Sequence, residues 1–134
     1  MSKQKNCKER WYENKQDRIA DLRALFYADD QTTEELGSFN EYGLCFDYVA
    51  KGTFEDQEEG YFRYQLSWGG PSDEFRFYTD MAGGVGEITY TFLDWFDGHE
   101  EAILGEDYDL LNDIFENFKD MGTVKSELEK ALEE

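Results

Sequence analysis

The apolar residues in the first part of the chain recur every three or four positions, which is the period of an amphipathic helix. This period holds from about residue 7 to residue 28, and a polar stretch containing Gly37 and Ser38 begins at Asp29. Lysine contributes to such a stripe through its aliphatic stem. The stripe consists of Trp11, Lys15, Ile19, Leu22, Leu25 and Phe26. We therefore predict an N-terminal helix over about residues 7–28.

From Tyr42 to Leu93 the period of the pattern changes to two, as expected for strands with one buried and one solvated face. Turn residues separate four alternating runs, which cover about residues 42–49, 62–68, 73–78 and 87–93. Because short turns join neighbouring antiparallel strands, these runs predict a four-stranded meander over about residues 42–93.

The stretch from Phe62 to Tyr78 predicts a hairpin, because the glycines and the proline at 69–72 supply the backbone conformations of a turn. With this connection Trp68 lies opposite Asp73. The predicted buried face consists of Phe62, Tyr64, Leu66, Phe75 and Phe77, and the predicted solvated face of Arg63, Gln65, Ser67, Glu74, Arg76 and Tyr78. We interpret the hairpin as scaffold, with both arginines paired to Glu74 and neighbouring acids. A contact surface on its polar face stays open as an alternative.

A second helical pattern begins at about residue 101 or 106 and ends at Met121. Its apolar stripe consists of Leu111, Ile114, Phe115, Phe118 and Met121. After Gly122 and Thr123, the spacing of Val124, Leu128 and Leu132 predicts a last short helix. The sequence therefore predicts a single α+β domain over residues 1–134. Its N-terminal helix and its C-terminal helices, at about 101–133, cover one face of a four-stranded antiparallel sheet.

Composition is consistent with one folded domain in a reducing compartment. The 134 residues are 40% hydrophobic and 17% aromatic, enough for a core. Cys7 and Cys45 form no paired motif, and no apolar run approaches the ~18 residues that cross a membrane. No segment resembles a signal peptide. We expect a cytoplasmic protein of the host cytosol with free thiols and no membrane contact.

The charge of the chain is strongly negative and unevenly distributed. The net charge is −19, yet residues 1–23 carry seven Lys/Arg against four Asp/Glu. The remainder of the chain therefore carries −22 and repels phosphate backbones and anionic membranes. We expect basic partners and no direct binding of nucleic acid. We expect the basic helix to pack on the acidic body. The alternative is that its cations reach a nucleic acid or an acidic partner: Lys3, Lys5, Lys8 and Arg10.

A row of acids runs along the second predicted helix at spacings of three and four, which places neighbours about 5–6 Å apart on one face. The row consists of Glu106, Asp109, Asp113, Glu116 and Asp120. Lys119 is the only cation between Glu100 and Asp120, so the like charges are not interleaved with opposite ones. Further acidic pairs occur at 29–30, 34–35, 55–56, 58–59 and 100–101. The row is either an ordinary solvated face or a surface for a basic partner.

Motifs for catalysis and metal binding are absent from the sequence. His99 is the only histidine, and neither glycine-rich turn has the pattern of a phosphate-binding loop. The acids around Asp94 and Asp107 lack the spacing of a calcium loop. We therefore expect no enzyme, no cofactor and no metal, with a small hydrolase that uses His99 as the least favoured alternative.

In size, charge and carboxylate clusters the chain resembles small acidic anti-defence proteins of phages and plasmids, including DNA mimics, antirestriction proteins and some anti-CRISPR proteins. The stretches LSWGGPSDEFRFY (66–78) and FLDWFDG (92–98) are also similar to a set of plasmid- and phage-borne proteins. The resemblance implies a phage or plasmid setting and carries over no catalytic residues.

The charge pattern and this resemblance together predict a non-enzymatic inhibitor. It would mimic nucleic acid and block the DNA- or RNA-binding site of a CRISPR or restriction complex or another nucleic-acid-binding protein. The expected contact residues are Glu106, Asp109, Asp113, Glu116, Asp120, Glu100, Glu101, Glu58 and Glu59. The alternative is an adaptor module that binds through the aromatic-rich sheet, with Trp11, Trp68 and Trp95 as candidate anchors. Both functions are compatible with a homodimer, and the sequence does not decide the oligomeric state.

Overall fold

The computed structural model of the chain describes residues 7–53, 59–69, 71–79, 84–94 and 97–132. It is an α+β fold in which helix α1 (Cys7–Phe26) precedes a five-stranded antiparallel sheet. The strands follow one another in chain order: β3 (Cys45–Val49), β4 (Tyr61–Ser67), β5 (Ser72–Thr79), β6 (Val85–Asp94) and β7 (Asp97–Ala102). Helices α3 (Gly105–Asp120) and α4 (Thr123–Leu132) come last.

Small elements fill the chain between α1 and the sheet. A 3-10 turn (Asp29–Gln31) leads into a two-stranded ladder of β1 (Thr32–Thr33) and β2 (Gly37–Ser38). A one-turn helix α2 (Phe39–Tyr42) follows. The first sheet strand therefore begins at Cys45, and the prediction that it begins at Tyr42 was wrong.

The α+β class and the antiparallel meander are confirmed, but the predicted number of strands was too small by one. Residues 97–102, predicted as a loop and a helix start, form β7 and pair with β6 over the register Thr89↔Ala102 to Asp94↔Asp97. The segment DGHEEA has no apolar alternation, so its sequence carried no strand signal. Accordingly α3 begins at Gly105, and the earlier start near residue 101 is excluded.

The β4–β5 hairpin has the predicted faces in a different register. Phe62 lies opposite Phe77 and Tyr64 opposite Phe75, a slip of two residues from the predicted pairing. A bulge between Gln65 and Ser67 then brings Ser67, rather than Trp68, opposite Asp73. Because side chains alternate with a period of two, a slip of two leaves the side chains before the bulge on their predicted faces. Ser67, after the bulge, instead donates a hydrogen bond to Asp73 on the core side.

The polar face of the hairpin is less solvated than predicted. Gln65 and Glu74 are 7% and 4% exposed, and Thr89 and Thr91 of β6 are also buried. Arg63 donates two hydrogen bonds to Asp47 of β3, at 3.0 and 2.7 Å, instead of pairing with Glu74. Arg76 donates to Glu74 at 2.8 Å and lies 3.6 Å from Glu100 of β7. Ion pairs along and between strands therefore hold this face together, in agreement with a scaffold.

The core lies between the other face of the sheet and helices α1 and α3. Trp11 of α1 is buried and its Nε1 donates a 2.6 Å hydrogen bond to the carbonyl oxygen of Tyr90. Phe115 of α3 is fully buried against the rings of Phe46, Phe62 and Phe77. The remaining predicted stripe residues of both helices are buried or partly buried: Ile19, Leu22, Leu25, Phe26, Leu111, Ile114 and Phe118. Met121 is the exception, because it follows the end of α3 and is exposed.

Helix α1 is attached to the acidic body by ion pairs, which confirms the predicted packing for its described residues. Lys15 and Arg23 both bind Asp107 of α3, at 2.8 and 3.2 Å. Arg10 binds Asp94 at the end of β6. Lys3 and Lys5 lie outside the described residues. The positive charge of α1 is therefore largely used within the fold.

The pair between Arg18 and Asp73 is the most buried of these contacts. Two of the three guanidinium nitrogens of Arg18 donate to the Asp73 carboxylate, at 2.7 and 3.1 Å. The hydroxyls of Ser67 and Tyr90 donate to the same carboxylate. The residue Asp73 is only 3% exposed. Burial lowers the pKa of Arg18, but its hydrogen bonds to Asp73 and Tyr42 more than offset that effect and raise it.

Alkaline pH is expected to unfold the protein because of its buried tyrosines. Burial raises the pKa of Tyr42 and of Tyr61 from 10.0 to about 12, and it also raises the pKa of Tyr64 and Tyr90. Their neutral forms are favoured in the folded state. The resulting stability is complete below pH 10 and is lost as pH rises through 10 toward about 12.

This dependence can be measured by thermal melting between about pH 8 and about pH 12 together with the ultraviolet absorbance of tyrosinate. Melting temperature should be constant at first and fall steeply above pH 10. The melting temperature should fall equally at high salt if tyrosine ionisation is the cause. Repulsion among carboxylates would instead be screened by salt, and the fall would become smaller. Ionisation of all nine tyrosines near pH 10 in a chain that stays folded would contradict the expectation.

Candidate partner-binding surface

Helix α3 has its apolar and acidic residues on opposite sides. Leu110, Leu111, Ile114 and Phe115 are buried in the core. The five acids spaced at three and four residues are all exposed: Glu106, Asp109, Asp113, Glu116 and Asp120. We call these five residues the α3 acid row. Its placement agrees with the helical spacing predicted from the sequence.

The described part of the chain supplies no cation to the α3 acid row. Within the described ranges no Lys, Arg or His lies within ion-pairing distance of any of its five carboxylates, and this includes Lys119 of the same helix. Asp107 behaves differently, because it faces α1 and binds both Lys15 and Arg23. The described cations next to α3 therefore pair with Asp107 and not with the acid row.

A second group of exposed acids lies between two residues that contact α3. The hydroxyl of Tyr27 donates a 2.8 Å hydrogen bond to Asp113, in the middle of the acid row. The ring of Phe39 lies 6.0 Å from that of Phe118 further along α3. The segment between these two contacts therefore begins and ends at α3, while its strand β1 packs against α1. It carries four exposed acids: Asp29, Asp30, Glu34 and Glu35.

Two of the remaining predicted contact residues lie on β7 rather than on α3. Glu100 lies on the polar sheet face, where Thr89 donates to it at 2.6 Å and Arg76 approaches it. Glu101 belongs to the opposite face and lies 3.1 Å from Nε2 of His99. Glu59 is exposed just before β4, and Glu58 lies outside the described residues. Of the predicted contact residues, the five of the α3 acid row are therefore the ones that lie together along one helix face.

The aromatic residues of the sheet contribute mainly to the core. Tyr90, Phe75 and Phe77 are fully buried, and Trp11 of α1 packs beside them. Trp68 is 77% exposed at the hairpin tip, and Trp95 lies outside the described residues. Of the candidate aromatic anchors, Trp68 is thus the one that the structure leaves accessible.

The groups most suited to nucleophilic chemistry are not brought together. His99 packs edge-on against Trp11 at 5.4 Å, under α1. Cys45 is a free thiol on β3, and burial together with the charge of Asp47 raises its pKa, which disfavours the reactive thiolate. Among the residues that the structure describes, no three His, Cys, Asp or Glu side chains are arranged to hold a metal ion.

Within the same described ranges, none of the helices combines the length and the apolar character needed to span a bilayer. The chain matches no model of a known protein family, no curated protein sequence and no solved structure.

Proposed function

We propose that this protein is a non-enzymatic inhibitor that presents the α3 acid row in place of a nucleic acid. The observation that carries the proposal is an exposed line of five carboxylates with which no Lys, Arg or His of the described residues pairs, on a fold whose nearby arginines and lysine bind other acids. A solvated helix face usually gains a few tenths of a kcal/mol from each interleaved opposite charge. The acid row lacks those pairs and is available to a basic partner.

The spacing of charges along the acid row is of the same order as that along a nucleic-acid strand. From residue 106 to residue 120 the helix rises about 21 Å, so the four intervals between the five carboxylates average about 5 Å along the axis. One strand of a duplex presents one phosphate per ~3.4 Å. Lysines and arginines spaced to contact phosphates would therefore meet carboxylates at intervals of the same order.

The partner that fits this surface is a basic nucleic-acid-binding protein of the host cell. We infer that the target is a defence complex, such as a CRISPR or restriction system, or another protein whose nucleic-acid site the acid row would occupy. Inhibition would need no catalytic residue, because occupation of the groove is sufficient. Binding through the polar sheet face by an adaptor is the competing function. Ion pairs already hold Arg63 and Arg76 on that face.

Capture from a bacterial lysate at low salt, followed by elution in a salt gradient, tests the proposal. The captured protein should bind nucleic acid, and duplex or single-stranded DNA should compete with this chain for it. If about five carboxylates are paired, affinity should fall at least about 100-fold between roughly 50 mM and 200 mM salt. Binding that is indifferent to salt, or that DNA does not reduce, would exclude nucleic-acid mimicry. Loss of solvent exposure confined to the polar sheet face would support the adaptor instead.

A further inference from the structure

Helix α4 is attached less firmly to the fold than α1 and α3 are. None of the residues 123–131 is buried, whereas α1 and α3 each bury several side chains in the core. Val124 and Leu128 of α4 are only partly buried where they pack against the core. Within the described chain, the hydrogen bonds and ion pairs of residues 124–131 stay inside α4 or reach back only to Gly122. Partial burial of two apolar side chains is therefore the main attachment of α4.

The backbone at Gly122 forms a hinge between α3 and α4. Gly122 has a φ of +84°, the left-handed conformation with which glycine ends many helices. Its amide donates to the carbonyl oxygen of Lys119 at 3.0 Å, and its own carbonyl oxygen accepts from the amide of Ser126 at 3.0 Å. The hydrogen bonds of α3 thus end at the residue where those of α4 begin. A rotation at Gly122 moves α4 without breaking the hydrogen bonds of α3.

Helix α4 packs on β3, the end strand of the five-stranded sheet, as well as on α3. A cavity of about 380 Å³ remains between α4 and this end of the sheet. Its lining includes Asp47, Val49 and Arg63 on the sheet side and Glu127 and Lys130 on the side of α4. The contact is therefore incompletely packed. A helix over an end strand also prevents that strand from pairing with a further strand.

We propose that α4 is a detachable cover of β3. It leaves the sheet in a local opening, while α1, α3 and the other strands stay folded. Segments with few buried apolar contacts open at the lowest cost in free energy. A helix of ten residues is marginal by itself in water, so α4 unfolds once it has left β3. The opening uncovers the end strand of the sheet, and docking conceals it again.

This opening is independent of the proposed inhibitory function. The α3 acid row ends at Asp120, before the hinge at Gly122, so the row is present in both states. Loss of partner binding in an α3 variant would therefore say nothing about α4, and the behaviour of α4 can be measured without a partner.

Hydrogen exchange of the full chain, resolved to single amides by NMR, tests the proposal. The amides of α4 should share one opening and be at least about 100-fold less protected than those of the buried stripe of α3. Leu128→Ser should speed exchange in α4 and β3 about tenfold, because it removes a partly buried apolar contact. The amides of β5 and β6 should keep their wild-type rates.

Glu129→Ser is the matched control for Leu128→Ser. Glu129 is the next residue of α4 and is exposed, and both substitutions replace a good helix former with serine. The control therefore carries the same loss of helix propensity without the loss of a contact. It should change the exchange rates of α4 by no more than about twofold.

Four results would overturn the detachable cover. The first is an α4 that is protected as strongly as α3. The second is protection that declines residue by residue toward the end of α4, which is fraying and not one opening. The third is an equal acceleration of β3, β5 and β6 by Leu128→Ser, or its failure to fold, since α4 would then open only with the whole domain. The fourth is an equal effect of Glu129→Ser, which would assign the change to helix propensity and not to docking.

Discussion

The triple variant Asp109→Lys, Asp113→Lys and Glu116→Lys is expected to lose partner binding by at least about 1,000-fold and to keep its fold. Close charge pairs across interfaces have coupling energies of about 1.5 kcal/mol or more, so three reversed contacts amount to about 4.5 kcal/mol. The measurement is the affinity of the variant for the captured partner at low salt, alongside its thermal melting.

The triple variant should melt at or slightly above the wild-type temperature. All three side chains are exposed and lie away from the buried stripe, so their replacement opens no cavity. Removing like charges at three and four residues should contribute a few tenths of a kcal/mol per pair. The exposed hydrogen bond from Tyr27 to Asp113 is lost, which offsets part of that gain.

A second triple variant controls for the change in total charge. Glu41→Lys, Glu87→Lys and Glu129→Lys alter three exposed acids on three other elements and also bring the net charge from −19 to −13. This control should bind almost as well as the wild type. Equal losses in both variants would mean that net charge matters and position does not. If the α3 variant bound the partner with wild-type affinity, the α3 acid row would be an ordinary solvated face without a role in binding.

Phe115→Ala is expected to lower the free energy of unfolding by about 3–5 kcal/mol, the usual cost of truncating a buried aromatic residue. Its ring is fully buried and contacts Phe46, Phe62 and Phe77, so three strands would adjoin the cavity. Phe118→Ala should cost less, because Phe118 is only partly buried. Urea denaturation of both variants, with the slope compared to detect loss of two-state behaviour, measures the difference.

The two predictions are complementary. At temperatures where Phe115→Ala is still folded, it should bind the partner with nearly wild-type affinity, because the acid row lies on the opposite side of α3. If Phe115→Ala lowered the free energy of unfolding by less than about 1 kcal/mol, the core would have collapsed around the missing ring, or α3 would not be packed as described.

Local periodicity was sufficient to predict α3 and its acid row, because both depend on spacings of three and four within one helix. The faces of the hairpin before the bulge could be predicted because strand side chains alternate with a period of two. The register could not, because neither the shift by two residues nor the bulge after Gln65 is visible in the alternation of the sequence. Strand β7 left no sequence signal at all, since its polar segment is held by pairing with β6 rather than by an apolar face.

The packing of α1 on the acidic body was predicted from charge, but other tertiary contacts were not. The segment at 29–35 begins and ends at α3 through contacts of Tyr27 and Phe39 that no local pattern encodes. The buried pair of Arg18 and Asp73 did leave a trace in the sequence. Asp73 shares the alternation of Phe75 and Phe77, and an acid at a core-facing position indicates a buried cation partner.

The long-range ion pairs of α1 have a consequence for the order in which the fold can form. Arg18 binds an acid 55 residues later in the chain, and Lys15 binds one 92 residues later. Helix α1 is therefore synthesised before every strand it packs on, and it cannot complete its contacts until α3 has left the ribosome. Such high contact order favours slow folding after most of the chain is made. Until then the nascent chain exposes the apolar stripe of α1 and the arginines and lysine that the finished protein pairs with acids.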